Sequence, residues 1–513
     1  MKETQAFIRK LKSESSQSNF DTVKGIISAM NSNEVRFAKS YLMLLHTSEF
    51  ESQSLRLFRY IQQHPDHDES RAREHFTEQG GNFDKIVSTL KKRLGWSLVS
   101  EYNTQRDGAY SYKWKSTFEV MSNLMLYHVL IARGLSGHAF DLLNDTIRTA
   151  REIEAFPELK NALELKIRHI RLRSENRPIT RVTKELEHCI LCDNALSEAK
   201  EIYYELGTVT RKLGHRREEL IAHAQENLKR LQQLHEQTQS DNVLYYLLFA
   251  KATLSQLQKD FRGAGKIFTK LHETILASPA LNSTPNTRRI SIDLANNHLY
   301  QGNFEITLAF CKKAKAANMA EGSYNYFQVE FLEFYSYFYT NQFYLAERKI
   351  FGILEHPNYT ESEYLVNTKK YLAACTLFAQ EKYQEALHIL QNLEKVWSDT
   401  TGWNVGIRTL IMLCYKMLCN YELMALERER FRALFDKYRH RAAISSRDKI
   451  ILKIIHEFLK QNSDFKSIFQ RKLSLFNELK QPDNKWQIMS HEMIVFDQWF
   501  LCMMNRTKYR SDF

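Results

Sequence analysis

The feature that most limits what this chain can fold into is a short pattern that recurs at nearly constant spacing. Five segments place an aromatic after a polar or small residue, with a small residue usually following three positions on. They are Asp260-Phe261 with Ala264, Asn303-Phe304 with Thr307, Gln342-Phe343 with Ala346, Lys382-Tyr383 with Ala386, and Asn420-Tyr421 with Met424. The step from one aromatic to the next is about 40 residues throughout, a period of helical-hairpin repeats. Each aromatic sits between two apolar segments of helical periodicity. One helical hairpin cannot bury both of its apolar faces, so units with this period must stack on one another. The spacing therefore predicts a stacked array of hairpins, with the aromatic wedged into each turn and the small residue where the two helices cross.

The rest of the chain agrees with an all-α class. In residues 33–45, Val35, Phe37, Ala38, Tyr41, Leu42 and Leu45 fall at three- and four-residue steps, as do Phe83, Ile86, Val87, Leu90, Leu94 and Leu98 further on. Shorter helices are expected over 54–63 and 69–78. The 513 residues hold only 16 Gly and 7 Pro, too few for the many turns of a sandwich or barrel. Every proline lies between periodic segments, where its missing N–H costs nothing. At the C-terminal end, closing helices are expected over 447–461, 464–479 and 486–505, followed by a frayed tail. The expected organisation is an N-terminal helical block (1–105), a repeat array (114–440) and C-terminal capping helices (446–505).

Gly302-Asn303-Phe304 and Lys382-Tyr383-Gln384-Glu385-Ala386-Leu387 resemble the turn and second-helix start of tetratricopeptide repeats, as does Gly134 with Ala139. At the place of that family's first-helix glycine stand Ala252, Ala295, Phe334 and Ala374. The period here is also longer than that family's, which implies longer helices. Over residues 116–440 the resemblance implies a right-handed α-solenoid of about eight hairpins. Such repeats are generic interaction scaffolds, so the implied function is binding and not a particular chemistry. The N-terminal block, through its helices at 33–37, 57–61 and 91–94, is similar to a family of uncharacterised bacterial helical-repeat proteins that carries no known activity.

A search for chemistry yields few candidates. Cys189 and Cys192 form a CxxC beside His188, but no further ligand pair stands at zinc spacing and no preceding strand suggests a redox fold. Gly263-Ala264-Gly265-Lys266 lacks the upstream Gly and following Ser or Thr of a phosphate loop; Asp260 and Ile267 stand there. Arg217 and His223 are six apart on one helical segment, a spacing used by some helical ribonucleases, yet Glu218 and Glu219 beside them would repel phosphate. The reading is a non-enzyme with no cofactor and no metal. The seven scattered cysteines, the polar N-terminus and the lack of an apolar run of membrane length lead to the expectation of a cytoplasmic protein.

The richest stretch is 324–344, where more than half of the positions are Phe or Tyr. Alignment to the tetratricopeptide pattern sends Phe331, Tyr335, Phe338 and Tyr339 toward the concave surface, with Arg289, Asn296 and Tyr300 one repeat before and Tyr371 one repeat after. The resemblance implies a peptide- or protein-binding set: Arg289, Asn296, Tyr300, Tyr335, Tyr339 and Tyr371. An amide at Asn296 suits a peptide backbone, and tyrosines give rigid contact area with a polar tip. A solenoid helix is buried on two sides, so core is the ordinary reading for most of the other aromatics. The alternative, permitted by the net charge of +12, is a regulatory protein whose basic surface binds nucleic acid while the repeats sense a ligand. Two basic strips, Lys166 to Arg173 and Lys437 to Arg441, read as solvated helix faces unless they merge into one stripe.

Overall fold

A computed structural model of the protein describes residues 18–44, 52–77, 82–102, 112–172, 179–211, 217–317, 319–359, 363–393, 403–438, 445–459 and 464–512. Among the described residues there are 24 α-helices and no strand, so the fold is all-α. The chain divides into two compact units, Met1–Tyr110 and Ser111–Phe513.

The first unit contains α1 (Asn19–Ala29), α2 (Ser32–Leu44), α3 (Gln53–Gln63), α4 (Glu69–Thr77) and α5 (Phe83–Tyr102). Its core gathers Phe20, Val23, Leu42, Leu57, Phe58, Leu90 and Leu94, the apolar stripes of α1, α2, α3 and α5. Ser18 and Ser52 cap α1 and α3 by accepting the backbone N–H three residues on.

The second unit runs through α6 (Tyr112–Ala132), α7 (Ser136–Glu152), α8 (Phe156–Leu172), α9 (Ile179–Arg211), α10 (Arg217–Thr238), α11 (Asp241–Leu257) and α12 (Phe261–Ala277). It continues with α13 (Thr284–Tyr300), α14 (Phe304–Ala316), α15 (Tyr324–Tyr339), α16 (Phe343–Leu354), α17 (Glu363–Ala379), α18 (Tyr383–Gln391), α19 (Trp403–Met417) and α20 (Tyr421–Tyr438). Between α6 and α20 each helix packs on the next in the chain, consistent with a helical-repeat solenoid.

The five turn aromatics are each the first residue of a second helix, opening α12, α14, α16, α18 and α20. Two residues before each, the backbone crosses into the left-handed region, at Lys259 (φ 63°), Gly302 (77°), Asn341 (60°), Glu381 (66°) and Cys419 (57°). The intervening residue then donates its N–H to a carbonyl five residues back, as from Asn303 to His298 (2.9 Å) and Lys382 to Leu377 (3.0 Å). This closing bond ends the first helix and aims the second. The small residues Ala264, Thr307, Ala346 and Ala386, with Met424, are fully buried, as are Ala252, Ala295, Phe334 and Ala374 opposite them. Thr307 Oγ1 donates to the Ala295 carbonyl at 3.3 Å, which marks the crossing point of one hairpin.

The C-terminal part departs from expectation. After α21 (Ser446–His456), α22 (Phe465–Arg471) and α23 (Leu473–Leu479), only Phe496–Met504 forms a last helix, α24. Residues 485–495 are not helical; Met489 takes a left-handed φ of 59°, and backbone groups of Met489, His491 and Val495 bond to Tyr339 and Tyr371 of distant helices and to Tyr509 of the tail. Nor is the tail frayed. Tyr509 is buried and stacks on Phe343, and Ser511 exchanges hydrogen bonds with the Asn341 side chain and the Tyr339 carbonyl.

Candidate functional site

The first helices of successive hairpins, α9, α11, α13 and α15, form the floor of a cleft of about 2040 Å³. Local sequence sets their register: Ser240, Ser283 and Ser323 each cap the start of α11, α13 and α15 by accepting an N–H three residues on. Counting back from each turn aromatic, the same places line the cleft in consecutive repeats. Twelve residues back are Phe249, Ile292 and Phe331; eight back are Thr253, Asn296 and Tyr335; four back are Leu257 and Tyr300. The opposite wall comes from the C-terminal stretch, including Lys480, Lys485, Trp486 and Gln487.

Of the residues singled out in the sequence, Arg289, Asn296, Tyr300 and Tyr335 border this cleft together, but Tyr335 is a core residue, only 8% exposed and stacked on Tyr339. Arg289 Nε donates to Asp293 Oδ2 at 2.9 Å, and its guanidinium lies 5.6 Å from the centre of the Phe249 ring. Burial pushes the Asp293 carboxyl up, against the pull of Arg289. Tyr300 stacks on Phe261 at 4.8 Å and 3°. Burial raises the Tyr300 and Tyr335 phenols above their ordinary value, so both are neutral donors at physiological pH. Asn296 is half-buried, and its amide has no hydrogen-bond partner among the described residues.

Tyr339, Tyr371 and Phe338 do not offer free surface. Phe338 is in the core, edge-on to Phe343. Tyr339 and Tyr371 occupy the rows that Tyr300 and Phe331 occupy one repeat earlier, but each is only 2% exposed. The reason is that residues 486–495 of the same chain lie on them. The Met489 N–H donates to Tyr339 Oη (2.9 Å), and Tyr371 Oη donates to the His491 carbonyl (2.7 Å). Gly406 of α19 admits this close approach, since a Cβ there would lie 2.5 Å from the His491 oxygen. Arg447 anchors the stretch through both Glu492 oxygens (2.6 and 2.8 Å) and Asp497 (2.5 Å), and His491 Nε2 meets Asp448 Oδ1 at 2.8 Å. Burial works against the charge on Asp448, but His491 and Ser445 outweigh it and hold that carboxyl below its usual range.

Phe249, Gln256, Lys259 and Lys369 also line the cleft, with Lys369 Nζ 4.1 Å from the centre of the Phe331 ring. The repeat register was the signal that reaches Phe249; the lysines and the C-terminal wall have none in the sequence. The cleft thus presents phenols, amides, lysines and two satisfied ion pairs over an aromatic floor, a set suited to holding a ligand by contact and hydrogen bonding.

The other motifs resolve as packing. Cys189 and Cys192 are buried in α9, where burial first and nearby charges second push both thiols up to about 11. The Gly263 N–H donates to the Asp260 side chain, capping α12. His223 pairs with Glu205 at 3.3 Å, while the Arg217 side chain lies outside the described residues. His169 is buried against Phe140 and Tyr127, so the strip from Lys166 is not a wholly solvated face; the strip from Lys437 falls outside the described side chains. No helix among the described residues is long and apolar enough to cross a membrane. Among the described residues no group of three or more His, Cys, Asp or Glu is placed to hold a metal ion. No protein-family model matches the chain, and no curated protein matches it.

Proposed function

We infer that this is a non-catalytic scaffold of tetratricopeptide-like repeats that binds a segment of another protein in the open part of the cleft. One observation carries the reading. The rows that line the cleft in α11, α13 and α15 continue to Tyr339 and Tyr371, and there they clasp a non-helical segment of the same chain by its main chain. A surface that holds a peptide in one half offers the same two rows in the other, through Tyr300 and Phe331, with the unpartnered Asn296 in the row between them. The cleft volume, about 2040 Å³, also exceeds the roughly 300–1,000 Å³ of a small-molecule pocket.

The test is affinity capture of the intact protein from its native lysate, with and without nuclease, alongside Asn296→Ala and Tyr335→Ala. A protein partner that survives nuclease should lose about tenfold or more in affinity on either substitution, roughly 1.4 kcal/mol. Recovery of nucleic acid, with protein partners vanishing after nuclease, sinks the reading. Asn296→Ala is the cleaner variant, because its amide makes no internal bond whose loss would unfold α13.

A further inference from the structure

We propose that the ligand of the cleft is an extended peptide segment that interleaves carboxylates with apolar side chains. This rests on the reading that the cleft binds a peptide, and it names the class of peptide.

Charge is the first argument. The arginines lining the cleft are answered from within: Arg289 by Asp293, and Arg447 by Asp497 and Glu492. Beyond these pairs, and apart from Lys369, which is engaged on Phe331, the lining holds Lys259, Lys480 and Lys485 against one carboxylate, Asp512. Lys259, Lys480 and Lys485 are exposed and belong to different elements: a hairpin turn on one side and the C-terminal wall on the other. A groove walled by one sign of charge on both sides steers and selects ligands of the opposite sign.

The floor supplies the second argument. Between the lysines lie Phe249, Ile292, Phe331 and Leu332, which reward burial of apolar side chains. An extended chain points alternate side chains to opposite sides, so apolar groups meet the floor while carboxylates meet the rim. The clasped internal stretch combines the same two chemistries without alternating them: it buries the consecutive Met493, Ile494 and Val495 and places Glu492 on Arg447.

Single-stranded nucleic acid would satisfy the lysines too, but it needs open ring faces on which bases stack. Here Phe331 has a face covered by Lys369, Phe249 by Arg289, Tyr300 by Phe261 and Tyr335 by Tyr339, while Tyr204 and Tyr324 of the lining are exposed. The four engaged rings favour a peptide, and the exposed pair makes nucleic acid the competitor to test.

The experiment is selection of short random displayed peptides on the full-length protein, followed by binding assays on selected sequences. The proteins compared are wild type, Lys480→Gln/Lys485→Gln and Asn296→Ala, each first checked for folding by its melting transition. Selected peptides should be enriched in Asp and Glu interleaved with Leu, Met or aromatics. Replacing their acids with amides should weaken binding by roughly tenfold, and the double lysine variant should do the same. Peptides that need Asn296 but show no acidic enrichment would overturn the ligand class and leave the groove reading standing. Selected peptides indifferent to Asn296 would overturn both. A short oligothymidylate that outcompetes every selected peptide, and is lost in the lysine variant, would replace peptide with nucleic acid.

Discussion

Tyr300 and Tyr339 stand at the same place in consecutive repeats, four residues before the turn aromatic, yet one lines an open cleft and the other is buried. What separates them is the main chain that the second one clasps. Tyr371 is the sharper case, because its hydroxyl meets the His491 carbonyl where Gly406 leaves no room for a side chain. Tyr371→Phe keeps the ring and its packing on Trp403 but removes the donor. A buried acceptor that loses its partner costs about 1–3 kcal/mol. The expected result is a lower melting temperature together with faster amide exchange confined to residues near 489–495. Unchanged exchange there would mean that the tyrosine hydroxyl does not hold the segment.

At the scale of the element, the hairpin turn is the repeating device, and it is built with glycine at only one of its five instances. Lys259, Asn341, Glu381 and Cys419 adopt the left-handed conformation that Gly302 adopts without strain. A side chain there costs about 1–2 kcal/mol, of which the extra freedom of glycine in the unfolded chain returns roughly half. Glu381 is exposed, so Glu381→Gly should stabilise the protein by about 0.5–1 kcal/mol, read as a higher denaturation midpoint at unchanged slope. Destabilisation would show that the Glu381 side chain has a role its exposure hides. These turns were legible in the sequence because an aromatic, a small residue and a period are local signals, and every one of the five aromatics opens a helix. Residues 486–495 were not legible. Ile488, Met489, Met493 and Ile494 have the composition of a helix face, and nothing local says that tyrosines some 120 to 150 residues away will bond the backbone instead. The site divides the same way. The register places Arg289, Asn296, Tyr300 and Tyr335 in one cleft, but it cannot say what covers Tyr339 and Tyr371.

Across the second unit, the C-terminal stretch changes what kind of molecule a repeat array is. Hairpins that touch only their neighbours unfold in pieces, with stability close to a sum of nearest-neighbour contributions. Residues 486–512 break that locality. They bond Tyr339 of α15, Tyr371 of α17 and Asn341 in the turn before α16, while Asp448 and Arg447 fix them to α21. The packing reflects this: one continuous core joins Ile292 through Tyr509, whereas α6 to α13 contribute to smaller separate clusters. The region from α15 to α24 should therefore open as one cooperative unit with the slowest amide exchange in the chain, and α6 to α8 should open at lower cost. Ending the chain after Lys480 removes the shared partner and uncovers Tyr339, Tyr371 and Phe343. In that variant, exchange across α15 to α20 should become graded from helix to helix and approach the rates of α6 to α8. If α15 to α20 kept their protection and cooperativity without residues 481–513, neighbour stacking alone would account for the array, and the clasped segment would be cover without coupling.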